Sequence, residues 1–403
     1  MLTPVEDVRA TILAACSPLP AVDVPLTAAA GAVAAAPVTA PHDVPPFANT
    51  AMDGYALRAA DTASPPARLS VIGVLPAGGA PTQTVGPGQA LRIMTGAPIP
   101  SGADAVVMVE RTQPLDGGSA VLIEIAAAPG MSVREAGSDI RTGTEVVAAG
   151  TPLSAGHVGV LASLGYEQVS VHRRPRVGVL ATGDELVDAS QPLRPGQIRD
   201  SNRPMLLTLA AQAGAEPVDL GRDPDDPDAI AGSIERAVHY GRCDLVLVTG
   251  GVSVGDFDYV AEVLERLGRL WTWDVAMKPG KPLAFGLVDD RPVFGLPGNP
   301  VSSAVSFEMF ARPAIRTLLG HPDPFRPVLG GVAAEPMTRR PDGKLHVNRV
   351  VARWREQGHL SVRSAGGQGS HVLGALAAAN ALALLPDGEG VDAGGSVDVI
   401  LLD

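Results

Sequence analysis

The chain has 403 residues, room for about two to four domains at roughly 100–200 residues each. Its 46% hydrophobic content argues for packed cores, while 46 glycines and 37 prolines demand many turns and connectors. A net charge of −12 and 3% aromatics disfavour nucleic-acid and anionic-membrane surfaces. Two distant cysteines, Cys16 and Cys243, indicate neither a disulfide framework nor Cys-ligated zinc. The apolar stretches near residues 30 and 380 are interrupted by Gly31, Pro37 and Asn380, too soon for a membrane span. The first residues lack a basic region followed by an apolar one. The expectation is a cytoplasmic protein with neither a nucleic acid nor a membrane as partner.

The spacing predicts a helix over residues 5–15, entered at Thr3-Pro4. Pro37, Pro41, Pro45 and Pro46 then mark an extended connector. Short β-like runs follow at 69–75, 90–94, 105–109 and 120–125, parted by Gly/Pro clusters as in a small β module. A helix over 152–165 has Ser154 as its N-cap and Gly165 as its stop.

From Pro175 strands and helices alternate. Strands fall at 176–181, 217–220, 244–249, 273–277, 283–287 and 292–296, and helices at 202–213, 226–240, 258–267 and 301–319. That alternation predicts a doubly wound, mostly parallel sheet with helices on both faces. The run Asp244–Thr249 is apolar on successive residues, as a strand covered on both sides requires. After about residue 325, strands at 344–350, 381–385 and 396–401 indicate a terminal β module.

In an open α/β sheet, ligands bind beyond the carboxyl ends of the strands. Four such ends here carry polar loops: Thr182-Gly183-Asp184-Glu185, Gly250-Gly251-Val252-Ser253 running to Asp256 and Asp258, Lys278-Pro279-Gly280-Lys281, and Pro297-Gly298-Asn299-Pro300. The double glycine admits close approach of a phosphate or another oxyanion, although an ordinary tight turn explains it equally well. Lys278 and Lys281 flank a stiff Pro-Gly pair and suit an anion clamp; the competing reading is a solvated surface pair. Asp184, Glu185, Asp256 and Asp258 supply oxygen ligands of the kind that bind Mg²⁺ beside substrate phosphates. Asp184, Asp256 and the Asp225-Asp226-Pro227 string read equally as helix N-caps. The eight histidines show no metal-ligand spacing, and there is no G-x-S-x-G elbow.

Taken in order, NTAMDGYAL (49–57), MTGAPIP (94–100), REAGSDI (134–140), TGDEL (182–186), GGVSVGDFDY (250–259), MKPGKP (277–282) and LPGNPVSS (296–303) resemble the molybdopterin molybdenumtransferase family, of the MoeA type related to the gephyrin E domain. The resemblance extends from about residue 5 to residue 320 and is weaker beyond, where GQGSH (367–371) is the comparable string. It implies a transferase acting at the last step of molybdenum-cofactor synthesis. Molybdenum from molybdate is placed on adenylylated molybdopterin, and AMP leaves, with Mg²⁺ required.

The resemblance also implies four domains. These are a linker domain from residues 1–44 and 141–173, an inserted β-rich domain at 45–140, the molybdopterin-binding α/β domain at 174–322, and a β-barrel-like domain at 323–403. A homodimer is implied, with the site between the α/β domain of one subunit and the inserted domain of the other, and a transient contact with the molybdopterin adenylyltransferase.

Carried over by motif, Asp53, Thr95 and Asp139 line the inserted-domain side. Glu185, Asp225, Asp258, Lys278 and Lys281 line the α/β side, with Gly251, Ser253, Pro297 and Pro300 shaping the pocket. Asp53, Glu185, Asp258, Lys278 and Lys281 are the expected catalytic set, and Glu185, Asp225 and Asp258 the expected Mg²⁺ ligands. Two other functions fit parts of the pattern. A molybdopterin adenylyltransferase would resemble residues 175–320 but would not need residues 37–150. A non-catalytic dimeric scaffold of the gephyrin E-domain type would not need intact acidic and lysine motifs.

Overall fold

The computed structural model describes residues 2–251, 259–356 and 358–402. Its central layer follows from the alternating apolar runs after Pro175. It comprises β1 (Arg176–Thr182), α1 (Asn202–Gln212), β2 (Glu216–Asp223), α2 (Pro227–Glu235), β3 (Leu245–Thr249), α3 (Tyr259–Leu267), β4 (Arg269–Asp274), β5 (Pro282–Val288), β6 (Arg291–Leu296), α4 (Pro300–Ser306) and α5 (Arg312–Leu318). The strand order is β2-β1-β3-β6-β5-β4, with the first four parallel and β5 antiparallel to both its neighbours. Because β5 runs backwards, its first residues share the rim formed by the carboxyl ends of β1, β3 and β6. The Lys-Pro-Gly-Lys loop before β5 therefore reaches that rim.

Successive residues of β3 enter opposite cores, as two covered faces require. Leu245 and Leu247 join one cluster with Leu206, Phe294 and Ile315, whereas Val246 and Val248 join another with Ile230, Ile234 and Val263. The N-terminal helix Val5–Ala14 places Val5, Val8 and Ile12 in the first cluster, and Arg9 Nε donates to the Met309 carbonyl at 3.1 Å. At the edge, the strand expected at 273–277 instead runs from Arg269 to Asp274, directly out of α3. There Trp271 and Trp273 pack on Phe285, with ring centroids 5.6 and 6.4 Å apart. An edge strand alternates apolar and polar residues, so RLWTWD lacks the continuous apolar run of β3.

Both long expected helices form, and each carries a five-residue π segment, Arg236–Tyr240 after α2 and Phe307–Ala311 between α4 and α5. In the second, Pro313 has no N–H to continue the α ladder, which favours the wider turn. Asp226 caps α2 by accepting from Ala229 N at 2.7 Å. Ser154 caps the helix Ala155–Ser163, and His157 Nδ1 accepts from Ser154 N at 3.0 Å.

Residues on either side of the β insertion pair with each other. The strand Ala21–Pro25 runs antiparallel to Gln168–His172, and Val38–Thr39 pairs with Glu145–Val147. The insertion itself is a six-stranded sheet in the order 105–108, 54–57, 89–93, 67–75, 120–123 and 112–115. After residue 325 the strands 345–354, 360–364, 328–333, 396–401 and 381–385 pair in a ring that closes back on 345–354, forming a five-stranded barrel. Met277–Lys278 adds in parallel to the start of strand 345–354, with Lys278 opposite His346. Among the described residues, no helix is long and apolar enough to cross a membrane.

Candidate active site

A cavity of about 720 Å³ opens at the carboxyl rim of the sheet, between the loops that follow β1, β3 and β6. Glu185, Asp225, Gly251, Pro297 and Pro300 all line it. Glu185 is exposed and its carboxylate lies back over Gly183, where an added Cβ would sit 2.6 Å from Oε2. Gly183 has φ +149°, a conformation that side-chain-bearing residues rarely adopt. The neighbouring acids tie two loops together: Asp184 N donates to Asp225 Oδ2 at 3.4 Å, and Asp225 N to Asp184 Oδ1 at 3.3 Å. Asp184 thus serves a loop-to-loop clasp rather than the helix N-cap that sequence alone allowed.

Asn202, at the start of α1, also lines this cavity and joins two more strand ends. Its Nδ2 donates to Thr249 Oγ1 at 2.9 Å and to the Gly298 carbonyl at 2.7 Å. The loops after β3 and β6 are thereby locked in register.

A second cavity of about 430 Å³ adjoins the first, and Pro282, Ser302 and His371 line both. Lys278, Lys281 and Lys344 line the second one. Lys281 Nζ lies 2.9 Å from Asp274 Oδ2, whereas Lys278 is exposed with no carboxylate partner among the described residues. Gly280, between the two lysines, has φ +96° and leaves only 2.6 Å between a built Cβ and Ser306 Oγ. Glycine here lets the lysine loop press against the helix that follows β6.

The barrel forms the other wall. Arg349 is fully buried, and its Nη2 donates to the Gly367 and Gly369 carbonyls at 3.5 and 3.3 Å, holding the loop that presents Ser370 and His371. Burial lowers the pKa of this guanidinium from its ordinary value.

Asp53, Thr95 and Asp139 belong to the other end of the chain's architecture and are exposed, lining neither cavity. Asp53 Oδ1 accepts from both Thr95 Oγ1 at 2.6 Å and Thr95 N at 2.7 Å. Those bonds, the hydroxyl's first, hold the Asp53 carboxyl below its usual pKa. Ser253, Asp256 and Asp258 lie outside the described residues. Among the described residues, no cluster of three or more His, Cys, Asp or Glu side chains is arranged to hold a metal ion. Glu185 and Asp225 nonetheless share one cavity, and two carboxylates with substrate phosphates form the hard-oxygen set that suits Mg²⁺.

Reading the sequence by strand ends missed Asn202, Ser302, Lys344 and His371, all of which line the cavities. Ser302 stood inside a motif already singled out, and Asn202 follows a Ser at a helix start. Nothing local marks Lys344.

Comparison with known proteins accounts for this arrangement across the whole chain. Three family descriptions match in order: the MoeA N-terminal region, domains I and II, at residues 3–165; a probable molybdopterin-binding domain at 178–317; and the MoeA C-terminal region, domain IV, at 331–402. A molybdopterin molybdenumtransferase of Nostoc sp. is 40% identical, over 99% of this chain and 94% of its own length. Molybdopterin molybdenumtransferase 2 of Mycobacterium tuberculosis is 40% identical over 95% and 94%. The crystal structure of a molybdopterin biosynthesis MoeA protein from Pyrococcus horikoshii superposes with a TM-score of 0.84 at 31% identity, covering both chains fully. The chain belongs to the molybdopterin molybdenumtransferase family.

Proposed function

We propose that the protein inserts molybdenum from molybdate into adenylylated molybdopterin and releases AMP, completing molybdenum-cofactor synthesis in the cytoplasm. The observation that supports this reading best is that the two cavities adjoin and share a wall. A carboxylate-lined chamber bearing Glu185 and Asp225 shares Pro282, Ser302 and His371 as lining with a chamber bearing three lysines. A pterin nucleotide carries phosphates beside flat, hydrogen-bonding heteroaromatic rings, and molybdate is a dianion. The first chamber offers volume for the organic part, and the lysines offer positive charge for the oxyanions.

In this reading Lys278 binds the anionic substrates, while Lys281, oriented by Asp274, supports it. Glu185 and Asp225 would hold Mg²⁺, joined by Asp258, and the ion would neutralise charge on the departing phosphate. Glu185 is assigned the essential acidic role at the insertion centre, and the missing side chain of Gly183 leaves room for its carboxylate. Pro297 and Pro300 stiffen the loop after β6, and Gly251 lines the pocket at the end of β3; Ser253, outside the described residues, is a further candidate from the same motif. The active form is a homodimer in which Asp53, Thr95 and Asp139 of one subunit face the groove of the other; that they line neither cavity of their own chain favours this arrangement. A transient encounter with the molybdopterin adenylyltransferase would hand over the adenylylated substrate.

Matches to the N- and C-terminal MoeA regions weigh against an adenylyltransferase, and intact lysine and carboxylate positions weigh against a purely structural scaffold. The test is to supply the protein with adenylylated molybdopterin, Mg²⁺ and molybdate, and to follow AMP and active cofactor together. Stoichiometric appearance of both supports the reading. ATP consumption without AMP release from the adenylylated pterin refutes it.

A further inference from the structure

The barrel meets the α/β layer through one short seam. Met277 and Lys278 pair in parallel with Leu345 and His346, and Leu345 N donates to the Ala276 carbonyl at 2.8 Å. Lys344 is the residue immediately before that seam and lines the same cavity as Lys278 and Lys281. Its backbone is fixed from the other side, because buried Arg339 donates through Nη1 to the Lys344 carbonyl at 2.7 Å. Its side chain is 22% exposed, so the ammonium keeps a route to the cavity.

The charges around it do not balance. Lys344 Nζ lies 3.4 Å from Asp342 Oδ2, a long contact, and Asp342 is shared with Arg339 at 2.8 Å and His346 at 3.2 Å. Arg339 also engages Asp387 at 2.8 Å, and Lys281 engages Asp274 at 2.9 Å. Among the described residues, the ion pairs of the set Lys278, Lys281, Lys344 and Arg339 thus involve three carboxylates, Asp274, Asp342 and Asp387. One positive charge is left over in a chain whose total is −12. Local excess of this kind, on a wall fixed by backbone hydrogen bonds, attracts a multiply charged oxygen anion.

We infer that Lys344 is an anion-binding residue contributed by the C-terminal barrel, which together with Lys278 grips a multiply charged oxyanion, either free oxometallate or the phosphate arm of the pterin. The inference rests on the function proposed above and assigns the barrel a direct part in binding substrate.

Titration calorimetry with molybdate, and separately with AMP, tests it on the wild-type chain and on Lys344→Gln, Lys344→Arg and Lys278→Ala. Lys344→Gln should weaken at least one of the two anions about tenfold or more, and Lys344→Arg should recover most of that loss with Tm unchanged. A loss confined to molybdate places the oxometallate against Lys344; a loss confined to AMP places a phosphate there. If Lys278→Ala weakens binding and Lys344→Gln does not, the inference fails while the proposed function stands. If neither substitution matters, the anion groove itself is refuted. Should Lys344→Gln not fold, amine acetylation of the wild-type chain decides: molybdate or AMP must slow modification of Lys344, and an unchanged rate overturns the inference.

Discussion

Gly183→Ala separates the position of the Glu185 carboxylate from its mere presence. The added methyl would lie 2.6 Å from Glu185 Oε2 and 3.0 Å from its Cδ. An ordinary carbon–oxygen contact is about 3.3 Å, so the carboxylate must retreat by roughly 0.7 Å. The atoms in the way are the far end of a flexible side chain, so the strand end need not move. The backbone at φ +149° adds strain of about 1–3 kcal/mol, which lowers Tm by several degrees without unfolding the chain. Displacing a reacting group by nearly 1 Å costs up to about a hundredfold in rate. The assay is AMP release from adenylylated molybdopterin, run beside thermal unfolding, for Gly183→Ala, Glu185→Gln and the double variant. If Gly183 acts through Glu185, the double variant should be no slower than Glu185→Gln. Two results refute the reasoning: full turnover in Gly183→Ala despite a lowered Tm, or a further hundredfold loss in the double variant.

Lys278→Ala should weaken molybdate binding about tenfold at low salt, with the difference shrinking as ionic strength rises; equal affinities across the salt series would contradict an anion clamp. Mixing an Asp53→Asn protein with a Glu185→Gln protein should restore activity to about a quarter of wild type, since random exchange leaves one intact site in each mixed dimer; no recovery after verified subunit exchange would place both residues in a single-chain site or in none. His321 predicts an acid sensitivity. It is buried, its Nδ1 faces Arg316 Nη2 at 3.0 Å, and burial together with Arg316 and Arg312 pushes its pKa from 6.5 down to about 4. The unfolded chain then binds a proton below pH 6.5 that the folded chain refuses until pH 4. Stability therefore falls as pH drops through that window, by about 2 kcal/mol at pH 5, and is unaffected above pH 7. Urea unfolding at pH 7 and pH 5 should show this loss reduced in His321→Gln; an identical pH dependence in both proteins would refute it.

How far the site could be read in advance depended on how local its causes are. The strand Leu245–Thr249 announces itself because both its faces are buried and the four residues 245–248 are all apolar, and the polar loops at its end and at the end of β1 stand out by contrast. Ser154, Asp226 and Gly165 mark helix ends through backbone chemistry confined to a few residues. The edge strand Arg269–Asp274 starts four residues and ends three residues before the expected 273–277, because one solvent-facing side breaks the apolar run. The π segments depend on how a helix meets its neighbours, and no hydrophobic period encodes that.

The part that Lys344 plays in the groove, and the part that His371 of the GQGSH string (367–371) plays there, were illegible for a different reason. Each is an ordinary residue in a β module, and becomes part of the groove only because Met277–Lys278 pairs with Leu345–His346 and because buried Arg349 holds the Gly367–Gly369 backbone against it. Among the described residues this buried guanidinium has no carboxylate partner, a costly arrangement that the carbonyl oxygens of Val347, Gly367 and Gly369 offset. An apolar residue would fill that volume without the penalty, so packing of the barrel alone does not account for an arginine there. Its hydrogen bonds are directed, and they fix the loop that carries Ser370 and His371 at the junction of the two cavities. The barrel is thus built to hold a loop in place at the groove as well as to bury its own strands.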